Sequence, residues 1–226
     1  MTQPESPAAH IEHTLLKPET TAAGIACLCE EAVEFGFAAV CVPPLHVEQC
    51  HRLLYGSEVR VATVVGFPFG YELPRIKALQ TAEALRAGAD EIDMVIDLGA
   101  ARAGEWARVS ADIAGTVAAA GGRPVKAIIE CCLFDADAKR QLVEAVVAGG
   151  AAYVKTSTGF AASGATTADV ALLVAAAAGR LKLKAAGGIR DWAGCAAMLA
   201  AGADRIGTSA GVTIMRQWQA ANGSGG

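Results

Sequence analysis

The sequence predicts an α/β protein built as a single (β/α)8 TIM barrel, and three observations carry that prediction. Short apolar runs alternate with longer stretches of helical spacing along all 226 residues. The composition is 53% hydrophobic but only 5% aromatic, so the core must come mainly from Ala, Val, Ile and Leu. That is the composition of parallel strands buried on both faces beneath Ala-rich helices. Polar residues also recur at the C-terminal ends of many apolar runs, where a barrel gathers its functional groups. A doubly wound open sheet uses the same alternation, but no G-x-G-x-x-G turn follows the first strand.

Strands are expected at 11–16, 38–42, 60–66, 91–96, 125–130, 152–156, 181–185 and 204–207. Helical spacing runs over Glu19–Gly36, Leu73–Gly88, Glu105–Gly121, Ala136–Gly149 and Thr166–Gly179. These stretches end on glycine, the usual residue where a left-handed C-cap is needed. The phrase Ala-Gly-Ala-Asp at 87–90 and 201–204 twice closes a helix and leads into a strand. Residues 10–220 therefore form one barrel domain, between a disordered lead (1–9) and a disordered tail (221–226).

Charge and composition narrow the function classes. The net charge is −4 with no Lys/Arg block, which argues against nucleic acid or an anionic membrane as partner. No secretory signal opens the chain and no apolar run spans a bilayer, so a cytoplasmic protein is expected. The seven cysteines are odd in number and sit mostly in apolar runs, as reduced core thiols do. His10, His13, His46 and His51 supply no strand-end cluster, so neither a metal nor another cofactor is expected.

The strand ends carry the candidate chemistry. Lys155 follows Ala-Ala-Tyr-Val and Lys184 follows Leu-Lys-Leu, each in an apolar run where a charged amine is costly. One such lysine reads most simply as held by a carboxylate or snorkelling to the mouth. Two on adjacent strands point to carbonyl addition, since close like charges favour the neutral amine that addition requires. By position alone, either could be the nucleophile. Asp93 alternates with apolar neighbours and shares a face with Glu91 and Val95, which makes it the candidate acid–base carboxylate. Glu12 and Asp97 are weaker candidates, and Asp97 can equally cap a turn. Gly187-Gly188 and the run Gly207 to Gly211, with Ser209 inside it, form small amide-exposing loops after the last two strands. Barrels frequently bind phosphate there.

These residues together resemble the deoxyribose-phosphate aldolase family over about residues 10–215. The resemblance rests on IEHTLLKP (11–18), AVCVPP (39–44), VVGFPFG (64–70), GADEIDMVIDLGA (88–100), VKAIIE (125–130), VKTSTGF (154–160), KAAGGIR (184–190) and RIGTSAG (205–211). It implies a metal-free class I aldolase that reversibly cleaves 2-deoxy-D-ribose 5-phosphate to acetaldehyde and D-glyceraldehyde 3-phosphate. It makes Lys155 the Schiff-base lysine, Lys184 its neighbouring cation and proton-transfer group, and Asp93 the acid–base carboxylate. Gly187, Gly188, Gly207 and Ser209 fall where the family binds phosphate. A homo-oligomer, dimer or tetramer, is also implied. Four positions depart from the usual pattern: Glu12 for Asp, Pro43 and Asp97 for Asn, and Ala210 for a second serine. The chain also lacks the terminal tyrosine of some members, so proton transfer is expected to lean on Lys184 and water. An isomerase or epimerase without an imine, and a non-enzymatic sugar-phosphate sensor, are the rival readings.

Overall fold

The computed structural model describes residues 6–222. Eight parallel strands close into a barrel: β1 (Ile11–Thr14), β2 (Ala39–Val42), β3 (Arg60–Val65), β4 (Glu91–Val95), β5 (Val125–Ile128), β6 (Tyr153–Lys155), β7 (Lys182–Ala186) and β8 (Arg205–Thr208). They pair in chain order, and β8 returns to β1 through Ile11↔Ile206 and His13↔Thr208. Closure leaves no strand edge unpaired.

Around the barrel run α1 (Ala22–Phe35), α2 (Val47–Leu53), α3 (Pro74–Arg86), α4 (Leu98–Arg102), α5 (Trp106–Ala119), α6 (Ala136–Ala148), α7 (Thr167–Ala177), α8 (Trp192–Ala200) and α9 (Gly211–Asn222). Each strand thus leads into a helix, with α4 as a short extra turn before α5. The starts follow from capping side chains. Thr21, Asp135, Thr166 and Asp191 each accept a hydrogen bond from a free N–H in the first turn. Gly36 closes α1 in the left-handed conformation at φ 68.

The strands divide two environments by their two-residue period. Ile92 and Met94 of β4, Val154 of β6, and Leu183 and Ala185 of β7 face the helices and join the main core with Ile113, Leu142 and Leu173. Alternate residues face the barrel axis. On the β2–β3 side that interior is apolar, with Cys41, Ala62 and Val64 packed beneath Leu16 and Phe67. On the β4–β7 side it is charged, and that asymmetry positions the site.

The strands stop one or two residues before several expected ends, because the chain turns there into the loops of the mouth. Glu130, for example, leaves β5 at φ 51. The disordered lead expected over 1–9 needs correction. Residues 7–10 form a 3-10 turn capped by Ser6, with Pro7 and Ala8 buried, and His10 Nδ1 lies 2.9 Å from the carbonyl oxygen of Asp204. Ala221 and Asn222 likewise close α9 rather than begin a tail. The rest of the expected lead and tail, 1–5 and 223–226, lies outside the described residues. No helix among the described residues is long and apolar enough to cross a membrane.

Candidate active site

Asp93 is the hub of the barrel interior. Its Oδ1 accepts from Lys126 Nζ at 2.8 Å, and its Oδ2 accepts from both Lys155 Nζ at 2.7 Å and Lys184 Nζ at 2.6 Å. Strand register brings these groups together. Asp93 pairs with Lys126 across β4–β5, and Lys155 pairs with Lys184 across β6–β7. Glu12 of β1 closes the circle by accepting from Lys184 and lying 3.4 Å from Lys126. Lys126 also meets Glu91 at 2.6 Å. Three lysines therefore face three carboxylates, and Arg60 donates to Glu91 at 2.9 Å from the exposed rim, so each buried charge has an opposite partner.

Balance is what lets such a cluster exist, since each uncompensated buried ion costs several kcal/mol, about 3–5 when a pair is broken. Burial pushes the Asp93 carboxyl up, but Lys126, Lys155 and Lys184 outweigh it and hold Asp93 well below its ordinary 3.8. Burial pulls the Lys184 amine down, yet Asp93 and Glu12 hold it above 10.5. Lys126 is raised in the same way by Asp93, Glu12 and Glu91. The cluster thus contains an ionised acceptor and two firmly protonated amines.

Access separates the lysines. Lys126 and Lys184 are wholly buried, whereas Lys155 reaches the wall of an open cavity of about 310 Å³ at the barrel mouth. Thr14, Lys17, Phe160, Gly187 and Ser209 share that wall. A slightly larger hollow of about 360 Å³, lined by Pro44, Phe67, Leu79 and Gln80, contains no amine and sits apart from the cluster. The one accessible amine of the cluster therefore opens on the smaller cavity.

The far side of this cavity is formed by the loops after β7 and β8. Gly187, Gly207 and Ser209 line it, while Gly188 lies beside them without reaching the wall. Thr208 Oγ1 donates to Ile189 O at 2.7 Å and accepts from Ala210 N at 2.9 Å, which ties the two loops together. Gly187, at φ 90, also packs against the loop after β6. A Cβ on Gly164 would lie 2.1 Å from Gly187 O. Gly207 has a second reason to be glycine, because its Cβ would come within 3.0 Å of Lys184 Cε. It makes room for the lysine stem as well as lining the cavity.

Two other sequence features resolve structurally. Asp97 caps α4 by accepting from Ala100 N at 2.9 Å and pairs with Arg108 at 2.8 Å, so it acts at the turn. Glu130 holds the loop after β6 by accepting from Thr158 Oγ1 at 2.5 Å and from Thr158 N. That loop carries Phe160, which meets Phe67 edge-on at 5.3 Å over the mouth. Lys155, Lys184 and Asp93 thus lie together, and their partners are Lys126 and Glu91, strand residues that the sequence reading did not single out. The signal was present: Lys126 sits in an apolar strand run as Lys155 does. Glu12, ranked low from sequence, is a full member of the cluster.

Comparison with known proteins agrees with this architecture. The family described as DeoC/LacD family aldolase matches residues 10–218. A deoxyribose-phosphate aldolase of Syntrophotalea carbinolica is 54% identical, over 96% of this chain and 98% of that protein. One from Deinococcus radiodurans is 47% identical, over the same 96% and 98%. Among solved structures, the deoxyribose phosphate aldolase of Aeropyrum pernix superposes with a TM-score of 0.89 at 32% identity, covering 95% of this chain and 91% of that one.

Proposed function

We infer the reaction from the premise that the chain belongs to the DeoC/LacD family of aldolases. It catalyses the reversible retro-aldol cleavage of 2-deoxy-D-ribose 5-phosphate to acetaldehyde and D-glyceraldehyde 3-phosphate, a step of deoxyribose phosphate breakdown in the cytoplasm. The observation that supports this best is the Asp93-centred cluster, in which Lys155 alone of three buried lysines opens on a cavity.

Lys155 Nζ, as the free amine, adds to C1 of the open-chain sugar, and loss of water leaves a protonated imine. The bond that then breaks is C2–C3, because acetaldehyde carries away two carbons. Its electrons move into the imine to give an enamine, while the C3 hydroxyl loses its proton and becomes the aldehyde of the three-carbon product. The enamine takes a proton at C2, and water hydrolyses the new imine to free acetaldehyde and Lys155. Asp93 serves as the ionised acceptor and Lys184 as the protonated donor, with water in the cavity carrying protons between them and the substrate. Gly187, Gly207 and Ser209 on the cavity wall hold the phosphate end, with Gly188 shaping the same loop behind them, which keeps the reacting carbon near Lys155.

The exposed side chains of Leu45, Phe69, Tyr71 and Leu73 support assembly into a homo-oligomer, and the Aeropyrum pernix relative is described as a tetramer. The activity itself is tested by a coupled assay for glyceraldehyde 3-phosphate. Wild-type protein is expected to release the product and Lys155→Ala to release none. Binding of the sugar phosphate without turnover by wild type would instead indicate a sensor.

A further inference from the structure

We propose that Lys17 is the counter-cation of the substrate's phosphate and sets the preference for phosphorylated over unphosphorylated sugar. This rests on the aldolase reading above and assigns a residue which that reading leaves unused. The loops after β7 and β8 provide glycine amides and the Ser209 hydroxyl, while their one cation, the exposed Arg190 of the β7 loop, does not reach the cavity wall. Their capacity is further reduced because the Thr208 hydroxyl and the Ala210 N–H are bonded within the loops. A phosphate monoester carries between one and two negative charges at neutral pH, so amides and one hydroxyl leave it without a neutralising charge.

Among the described residues only two charged side chains line the cavity, Lys155 and Lys17, and no carboxylate does. Lys155 is committed to C1, at the opposite end of a five-carbon sugar from the phosphate. Lys17 is in the right place for the other end. It follows β1, whose neighbour in the closed barrel is β8, and His13 pairs with Thr208. The loop bearing Lys17 therefore runs beside the loop bearing Ser209. Its backbone is held, since Lys17 O accepts from Thr20 N at 3.1 Å and Thr20 Oγ1 at 2.6 Å, and Pro18 follows. Its side chain is exposed and is in no ion pair with the described residues, unlike the other three lysines discussed above. An exposed lysine with a fixed base and no internal partner can turn its ammonium to the ligand without breaking a bond.

The test is a ratio: kcat/KM for 2-deoxy-D-ribose 5-phosphate divided by kcat/KM for 2-deoxy-D-ribose. Lys17→Met should lower it about tenfold or more, the loss expected for one charge-assisted contact, with KM for the phosphorylated sugar carrying the change. Lys17→Arg, which keeps the charge, should retain most of the preference. Competitive inhibition by inorganic phosphate should weaken in Lys17→Met and lose much of its salt dependence. A ratio that stays at the wild-type value, or falls equally in Lys17→Arg and Lys17→Met, would overturn the proposal. Capture of acetaldehyde on Lys155 in the wild-type protein involves no phosphate, so its failure would count against the aldolase reading instead.

Discussion

Two buried lysine–aspartate sites lie within about one strand's length of each other, one inside the barrel and one in the layer between strands and helices. In the outer site Lys77 of α3 donates to Asp112 of α5 at 2.7 Å and to Val95 O at 2.9 Å. Asp112 also accepts from Asp97 N at 3.0 Å, so the pair clamps the end of β4. Gly66 makes room for it, since a Cβ there would meet Lys77 Cε at 2.9 Å. Both sites are buried to a similar degree, yet their carboxyls shift in opposite directions. Burial raises Asp112 above 3.8, and one lysine does not reverse it. At Asp93, three lysines do. The outer pair is closed, bonded to backbone and lining neither of the cavities described above, whereas the inner cluster has one amine at an open wall. Burial and charge together do not mark a functional site; shared charge with access does.

The largest contrast is expected in chemistry. Lys155→Ala should abolish turnover, while the double variant Lys77→Met/Asp112→Leu, which touches neither cluster nor cavity, should turn over substrate. Loss of activity in that double variant at temperatures where it stays folded would erase the distinction between the sites. Asp93→Asn should lower kcat by about 10²–10⁴, the range for a proton-transfer group, and also strand buried cations. The coupled assay reads both effects of this first contrast.

The next contrast is in stability. Lys77→Met alone should cost about 3–5 kcal/mol in urea unfolding, because it leaves Asp112 buried and unpaired. Adding Asp112→Leu should recover most of that loss, since a packed apolar pair often replaces a buried ion pair without penalty. No recovery would mean that the bonds to Val95 O and Asp97 N matter more than the charge pairing.

The smallest contrast is in pH dependence, and its sign differs between the sites. Asp93 is depressed in the folded protein, so its stabilising contribution is present above 3.8 and is lost as pH falls toward its folded value. Asp112 is raised, so the folded state binds its proton more readily and gains relative stability as pH falls through that region. Between about pH 5 and 3, Asp93→Asn should flatten the acid-side loss of stability and Asp112→Asn should steepen it. Equal slopes in the two variants would show that the two carboxyls share one environment.

The barrel was legible because its strands are continuous apolar runs and a left-handed glycine follows within two residues of most helix ends. Lys155, Lys184 and Asp93 were legible for the opposite reason: each interrupts such a run with a charge. Lys126 interrupts one too, but its importance depends on register across β4–β5, which a linear reading does not contain. Glu12 is similar, since only closure of β1 against β8 brings it round to Lys184. Lys77 and Asp112 sit on helices whose charged positions look solvated in sequence, and their pairing needs the packing of α3 on α5. Residues 7–9 were assigned to a disordered lead because two prolines and no apolar run mark residues 1–9 as a whole, yet burial of Pro7 and Ala8 against the barrel orders the turn. Access, which ranks Lys155 above Lys184, is likewise a property of the assembled mouth.

That ranking is tested most directly by borohydride reduction in the presence of acetaldehyde, followed by peptide mass spectrometry. A two-carbon adduct should appear on Lys155, within the peptide containing residues 154–159, and be absent from Lys126 and Lys184. An unlabelled 154–159 peptide, or an adduct on Lys184, would contradict the assignment of Lys155 as the amine that meets the substrate.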